Sequence, residues 1–315
     1  MMSGLQKERE EGLASFEMSE NPQTNVSVRP VGADEGWTSV ITPHLGWFDW
    51  KLQQLWRYRD LISLFVWRDF VSVYKQTILG PLWHIIQPLM TTVVFTVMFG
   101  RIAKLSTDGV PAFLFYLCGN LTWSYFANNI NKTSSTFISN VSLLGKVYFH
   151  RLVIPISIVI SNLISFAIQL SIFLIFLILY WFGIFEGPSV HLTGWIFCVP
   201  LFLLMLAGYG LGGGIIVSAL TTRYRDLTNL VAFGVQLLMF ASSVIFPMSV
   251  VPVRYRWIVQ SNPLVPIVEG FRRGFLGAGD VTMMQVGVSF GVMLLVLAIG
   301  MMLFTHVEKT FMDTV

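Results

Sequence analysis

The sequence predicts an all-α integral membrane protein of six transmembrane helices. An amphipathic interfacial helix precedes them, and a short re-entrant outer segment lies between the fifth and sixth. Three observations predict this class. Of 315 residues, 54% are hydrophobic and 12% charged, with a mean hydropathy of +0.68, far from the balance of a soluble domain. Six stretches, 76–100, 109–131, 152–185, 187–222, 227–253 and 281–307, contain no Asp, Glu, Lys or Arg. Each exceeds the roughly 20 apolar residues that cross a hydrocarbon core as a helix. The runs also lack the strict alternation of barrel strands, and a helix satisfies its own backbone hydrogen bonds in lipid.

Taken in order, residues 1–45 read as a disordered cytosolic tail. The first 40 hold seven acidic and three basic side chains and no apolar run of the kind a signal peptide needs. The membrane domain is 46–315. Over 50–76, Gln53, Arg57, Asp60, Arg68, Ser72 and Lys75 recur on one side at helical spacing. Leu52, Leu55, Tyr58, Ile62, Phe65 and Val73 recur on the other, the pattern of a helix lying in the membrane interface. Gly80-Pro81 ends it and opens the first span, 81–102, because proline suits a helix's first turn and turns the preceding residue away from helix. The remaining spans are 112–131, 154–182, 194–220, 228–246 and 282–305. Between the last two, Asn262 and Pro263 start a helix that Gly277 and Gly279 stop. It is too short to cross and, with Leu264, Val265, Ile267, Val268, Phe271 and Phe275, too apolar for water, so it dips into the outer leaflet. Glu269 on it is expected to pair with Arg272 or Arg273, because an isolated carboxylate there is costly.

With both termini cytosolic, Arg68, Lys75, Lys132, Lys146, Arg151, Arg223, Arg225 and Lys309 fall inside. Arg101, Lys104, Arg254, Arg256, Arg272 and Arg273 fall outside, a small inward excess of positive charge. Beyond the tail the chain is basic by seven charges, which suits an anionic leaflet rather than nucleic acid. Gly208 to Gly213 matches the dinucleotide fingerprint by letter, but no strand precedes it. Its spacing instead lets helix backbones approach closely. No phosphate-cradling loop ending in Lys-Ser or Lys-Thr occurs, the nearest approach being Gly145-Lys146-Val147, so ATP is not expected to bind here. No metal-ligand pattern appears, and no acidic group interrupts the six runs, which disfavours ion coupling. Any energy for transport then comes from another polypeptide. The segment around Val141–Phe149, apolar with Lys132, Lys146 and Arg151 beside it, is a docking element or a headgroup-bound surface helix.

Several stretches resemble one family, the ABC-2 type permeases of polysaccharide exporters for O-antigen, capsule and teichoic acid. Tyr74-Lys75-Gln76-Thr77-Ile78-Leu79-Gly80-Pro81-Leu82-Trp83, continuing through Gln87-Pro88 to Phe99-Gly100-Arg101, is similar to the family's entry helix and first span. Asn140 to Pro155 and Arg223-Tyr224-Arg225-Asp226 resemble its two cytosolic coupling loops, and Asn262 to Arg272 its outer re-entrant segment. His150 departs from the proline expected before Arg151. The resemblance implies the membrane-spanning permease of a two-subunit pore in the inner (cytoplasmic) membrane, a second copy of itself beside it and a P-loop ATPase dimer below. ATP and Mg would bind in that partner, with no cofactor in this chain. The cargo implied is a lipid-linked glycan. Lys146, Phe149, Arg151, Arg223, Tyr224, Arg225 and Asp226 would contact the ATPase. Trp83, Phe95, Phe99, Tyr116, Trp123 and Phe126 would offer faces to sugars, although lipid contact or core packing accounts for each equally well. Two alternatives remain open at this point: an ABC-2 exporter of small lipophilic molecules, and an integral membrane glycosyl or phosphate transferase.

Overall fold

The computed structural model describes residues 52–75, 80–140, 143, 149–185, 187–188, 190–221, 224 and 226–311. All of them belong to the unit Gly46–Val315, and the tail expected over 1–45 lies outside them. Every regular element among the described residues is helical. The order is α1 Leu52–Arg57, α2 Arg59–Lys75, α3 Trp83–Phe95, α4 Ala112–Ser134, α5 Thr136–Ser139, α6 Val153–Trp181, α7 Val199–Thr221, α8 Leu227–Phe240, α9 Val253–Gln260, α10 Val265–Leu276 and α11 Met283–Phe311. A wider helical segment, Thr96–Ile102, continues α3. There the Ala103 N–H reaches back five residues to the Met98 carbonyl.

Among the described residues four helices are long and apolar enough to cross a membrane: Trp83–Ile102, Val153–Trp181, Gly194–Thr221 and Met283–Thr305. They fall within a few residues of four expected spans. The other two expected spans differ in instructive ways. α4 has the length, 23 residues, but carries Asn120, Asn128, Asn129, Asn131 and Lys132. It tolerates them because it is the central helix, packed against α3, α6, α7 and α10, with every residue from Leu114 to Trp123 buried. α8 is apolar but stops at Phe240 after 14 residues. That is about 21 Å, short of a hydrocarbon core of roughly 30 Å. The expected continuation to 246 is instead a turn, in which Ser243 takes φ 57°, a conformation rare outside glycine.

The expected interfacial helix is two helices, broken at Tyr58, where the Tyr58 N–H bonds to the Leu55 carbonyl at 3.0 Å. Its ends at 50 and 76 lie outside the described residues. Leu55, Tyr58, Ile62 and Phe65 turn inward while Trp56, Leu64 and Trp67 stay exposed, so α2 is apolar on both a packed and an open side. It lies along α6. α10 also starts later than expected. The Asn262 side chain accepts the Leu264 N–H at 3.0 Å, and the helix begins at Val265 with proline in its first turn being Pro266. Gly277, at φ 74°, ends it as expected.

The glycines of α7 serve two packing faces. A Cβ on Gly208 would collide with Met293 of α11, whereas one on Gly210 would collide with Asn129 of α4. On the α11 side the backbones meet directly. A Cβ on Gly212 would stand 3.0 Å from the Leu297 nitrogen, and one on Gly300 2.8 Å from the Gly212 carbonyl oxygen. Gly212→Val should therefore push α7 from α11 and cost about 1–3 kcal/mol, as overpacking does. Gly291→Ala on α11, where a Cβ meets nothing within 4 Å, should be neutral or slightly stabilising. Thermal unfolding in detergent, followed by tryptophan fluorescence, compares them. Equal melting temperatures for the two variants would show that the backbones are not in contact.

Candidate functional site

The densest polar chemistry in the bundle gathers where α8 breaks. A helix end leaves carbonyls without intrahelical donors, and away from water these must be met by side chains. Asn262 donates to the Ala241 carbonyl at 3.1 Å and to the Ser242 hydroxyl at 2.8 Å. Arg272 of α10 meets the turn that follows. Its Nη1 donates to the Ser243 carbonyl at 2.6 Å and its Nη2 to the Val244 carbonyl at 2.5 Å. The same Nη1 lies 3.2 Å from Oε1 of Glu269, so of the two pairings expected for Glu269 the structure has the one with Arg272.

Both members of that pair are 1% exposed. The Glu269 carboxylate also accepts from the Ser243 hydroxyl and, at 3.2 Å, from the Asp280 N–H. The guanidinium sits 3.7 Å from the centre of the Phe115 ring on α4, a cation–π contact. Gly119, one turn on, leaves the room, since a Cβ there would lie 2.8 Å from Nη2 and 2.9 Å from the Val244 carbonyl oxygen. From the other side Thr193 donates its hydroxyl to the Arg273 carbonyl at 2.5 Å, and Ser289 of α11 donates to the Pro263 carbonyl at 2.6 Å. α10 is thus pinned by α4, α7's leading turn, α11 and the end of α8. This arrangement positions backbone; it has no exposed acid, base or nucleophile.

The six aromatic candidates separate. Phe95 and Phe99, half-buried on α3, meet Tyr116 of α4 with ring centres 6.3 Å away in each case. Tyr116, Trp123 and Phe126 are buried within the single chain, and Trp123 and Phe126 pack on each other at 5.3 Å. Trp83 is exposed. α3 therefore carries the candidates with free surface, while those of α4 form the wall behind it.

Of the loop residues, Phe149 and Arg151 are buried. Phe149 sits 5.9 Å from Phe65 of α2, in a cluster with Phe137, Leu152 and Phe304, so it ties the surface helix to the bundle. Tyr224 and Asp226 are exposed, and Asp226 precedes α8, its carbonyl accepting the Asn229 N–H at 3.1 Å. Lys146, Arg223 and Arg225 lie outside the described residues. Sequence reasoning missed Ser243 and the chain Lys132 Nζ to Asn162 Oδ1 (2.9 Å), Asn162 Nδ2 to Asn129 Oδ1 (2.8 Å). Asn129 and Asn162 stand in charge-free runs, and a search for polar amides inside those runs would have found them.

Residues 60–276 match the family profile described as ABC-2 type transporter. The chain is similar to the O-antigen export system permease protein RfbA of Klebsiella pneumoniae, with 24% identity over 254 residues, 81% of this chain and 94% of that protein. It is similar to the protein of the same name from Myxococcus xanthus, 26% identical over 226 residues, 71% and 83% of the two chains. The polysialic acid transport protein KpsM of Escherichia coli is 23% identical over 203 residues, 64% and 76% of the two chains.

Removing one member of a buried ion pair strands the other, at about 3–5 kcal/mol. Arg272→Met should approach that figure, because it also orphans two carbonyls. Glu269→Gln keeps one acceptor oxygen for Ser243 and Arg272, loses the one that met the Asp280 N–H, and should cost less, about 1–3 kcal/mol. Unfolding midpoints of the two purified variants give the order, and a reversed order would mean that Arg272 is not the capping group.

Proposed function

This chain belongs to the ABC-2 type transporter family, and from that premise we propose that it is the permease subunit of an ATP-driven exporter of lipid-linked polysaccharide in the inner membrane. One observation carries the reading: the likeness to proteins named for O-antigen export runs over 81% of the chain and 94% of the first relative given above, so it spans the machine's membrane half rather than a shared fragment. The sequence holds no P-loop, and a P-loop ATPase dimer supplies ATP and Mg chemistry from the cytosolic side. Two copies of this chain flank the pathway.

In this reading the crossings are α3, α4, α6, α7, α8 with its terminal turn, and α11. α1 and α2 lie at the cytosolic interface, α10 is the re-entrant outer segment, and both termini are cytosolic. Phe95 and Phe99 present ring faces to sugar, backed by Tyr116. The coupling segments run through Lys146, Phe149 and Arg151 and through Arg223 to Asp226, with Phe149 and Arg151 buried behind the surface. Because Phe149 is covered by Phe65, movement of the ATPase reaches the bundle through the α2–Phe149–Phe304 cluster as a unit. ATP binding closes the partner and biases the pathway by its differential contacts with the two states.

Coexpression with the cognate ATPase should give a four-chain complex in mild detergent, measurable by native mass spectrometry, with glycan-dependent ATP hydrolysis. Phe149→Ala opens a cavity worth about 3–5 kcal/mol at the joint. Export into proteoliposomes should fall several-fold while ATP hydrolysis persists or loses its response to glycan. A transport-competent monomer, or hydrolysis stimulated by small lipophilic molecules and not by glycan, would overturn the reading.

A further inference from the structure

An open hollow in the bundle lies away from the clamp and from the α3 face that carries Phe95 and Phe99. It is a groove of ≈ 550 Å³ between the end of α3, the start of α4 and the end of α6, within the roughly 300–1,000 Å³ range of small-molecule sites. Phe113, Phe176, Tyr180 and Phe185 form one wall, with ring centres 4.9 Å apart for Phe113–Phe176 and 5.3 Å for Tyr180–Phe185. Val97 lines the opposite wall and Arg101 stands at the rim.

The groove sits at a membrane boundary, because both α3 and α6 end there, at Ile102 and Trp181. The adjoining loop meets the segment between α8 and α10 there, Ser249 donating to Asp108 at 2.5 Å. Beside it Trp181 and Phe182 are 73% and 78% exposed, as aromatic residues at a headgroup boundary are. Arg101 is exposed and makes no hydrogen bond or ion pair among the described residues, and Lys104 stands exposed three residues on. Both are cations on the side that the inward bias of charge leaves poor in them. Glu186, next to Phe185 in sequence, lies outside the described residues.

We propose that this groove holds one acyl chain of an anionic phospholipid of the surrounding membrane, with its phosphate on Arg101. The aromatic and valine walls match an alkyl chain, and a guanidinium forks onto phosphate oxygens. A sugar chain would find few hydrogen-bonding groups there, Thr96 and Tyr180 being the wall's main ones. The charge at the rim selects an anionic headgroup over a zwitterionic one. This site needs neither ATP nor cargo, so it stands apart from the export reading.

The test uses the full chain in nanodiscs containing a phosphatidylglycerol with a diazirine in its acyl chain, irradiated and mapped by peptide mass spectrometry. Labelling should concentrate on Phe113 and on Phe176 to Tyr180, and excess unlabelled phosphatidylglycerol should suppress it while phosphatidylcholine does not. Arg101→Gln should reduce it roughly tenfold, the loss of one charge-assisted contact. Val97→Trp fills the groove from an exposed position and should abolish it with the melting temperature unchanged. Labelling spread evenly over the outer faces of α3 and α6, or unaltered by both substitutions, would overturn the proposal. So would competition by a glycan-lipid extract but not by phosphatidylglycerol, which assigns the groove to cargo. Disulfide formation between two copies through Val97→Cys would assign it to a second copy, with the same effect.

Discussion

Everything at one end of this molecule depends on a guanidinium buried where lipid would otherwise leave bare carbonyls. α8 stops after 14 residues, and a helix that ends inside a bundle has no water to receive its last acceptors. Arg272 meets two carbonyls of the turn that follows, those of Ser243 and Val244, and balances its charge against Glu269 three residues earlier on the same helix. The cost of bringing two charges into the bundle is large. It is met by geometry, since Ser243, Asp280 and the Phe115 ring each occupy one further direction around the pair. The left-handed backbone at Ser243 follows from the same demand, because that turn aims successive carbonyls at one guanidinium.

The other end of the bundle is held by a different kind of force. Phe65, Phe137, Phe149, Leu152 and Phe304 join α2 to the bundle through rings and methyls. Apolar contact is non-directional, so such a joint tolerates sliding or small rotation that a forked hydrogen bond does not. A push delivered to α2 or to the Phe149 segment therefore meets a compliant layer first and a rigid clamp at the far side. Asn129, Asn162 and Lys132 lie between, and their directional bonds keep α4 and α6 in register while the ends differ.

The membrane class, four spans and the stop at Gly277 were legible because they rest on composition, length and one left-handed glycine. So was the pairing of Glu269 with a nearby arginine, since a buried carboxylate needs a partner and helical spacing offers few. α8 was overestimated because Ala241 to Phe246 carries no charge, and hydropathy does not register a backbone that turns to meet a distant arginine. The break at Tyr58 escaped because a run of good helix formers hides a single missing hydrogen bond. Burial of Phe149, Trp123 and Phe126 was beyond pattern reasoning, since in a membrane protein apolar residues face lipid and core alike.

α4 carries a consequence for how the chain reaches its place. With five amide or ammonium side chains between Asn120 and Lys132, it falls outside the helices apolar enough to cross by composition, and each such group is unfavourable for partition out of a translocation channel. Its neighbours α3, before it, and α6, after it, are long and apolar enough to cross. The Asn120 amide already has an acceptor in α3, the Pro88 carbonyl at 3.2 Å, whereas Lys132 donates to Asn162 of α6 and Asn129 accepts from it. The polar groups of α4 thus find their partners in one helix made before it and one made after it, so its burial is complete only once α6 is in place.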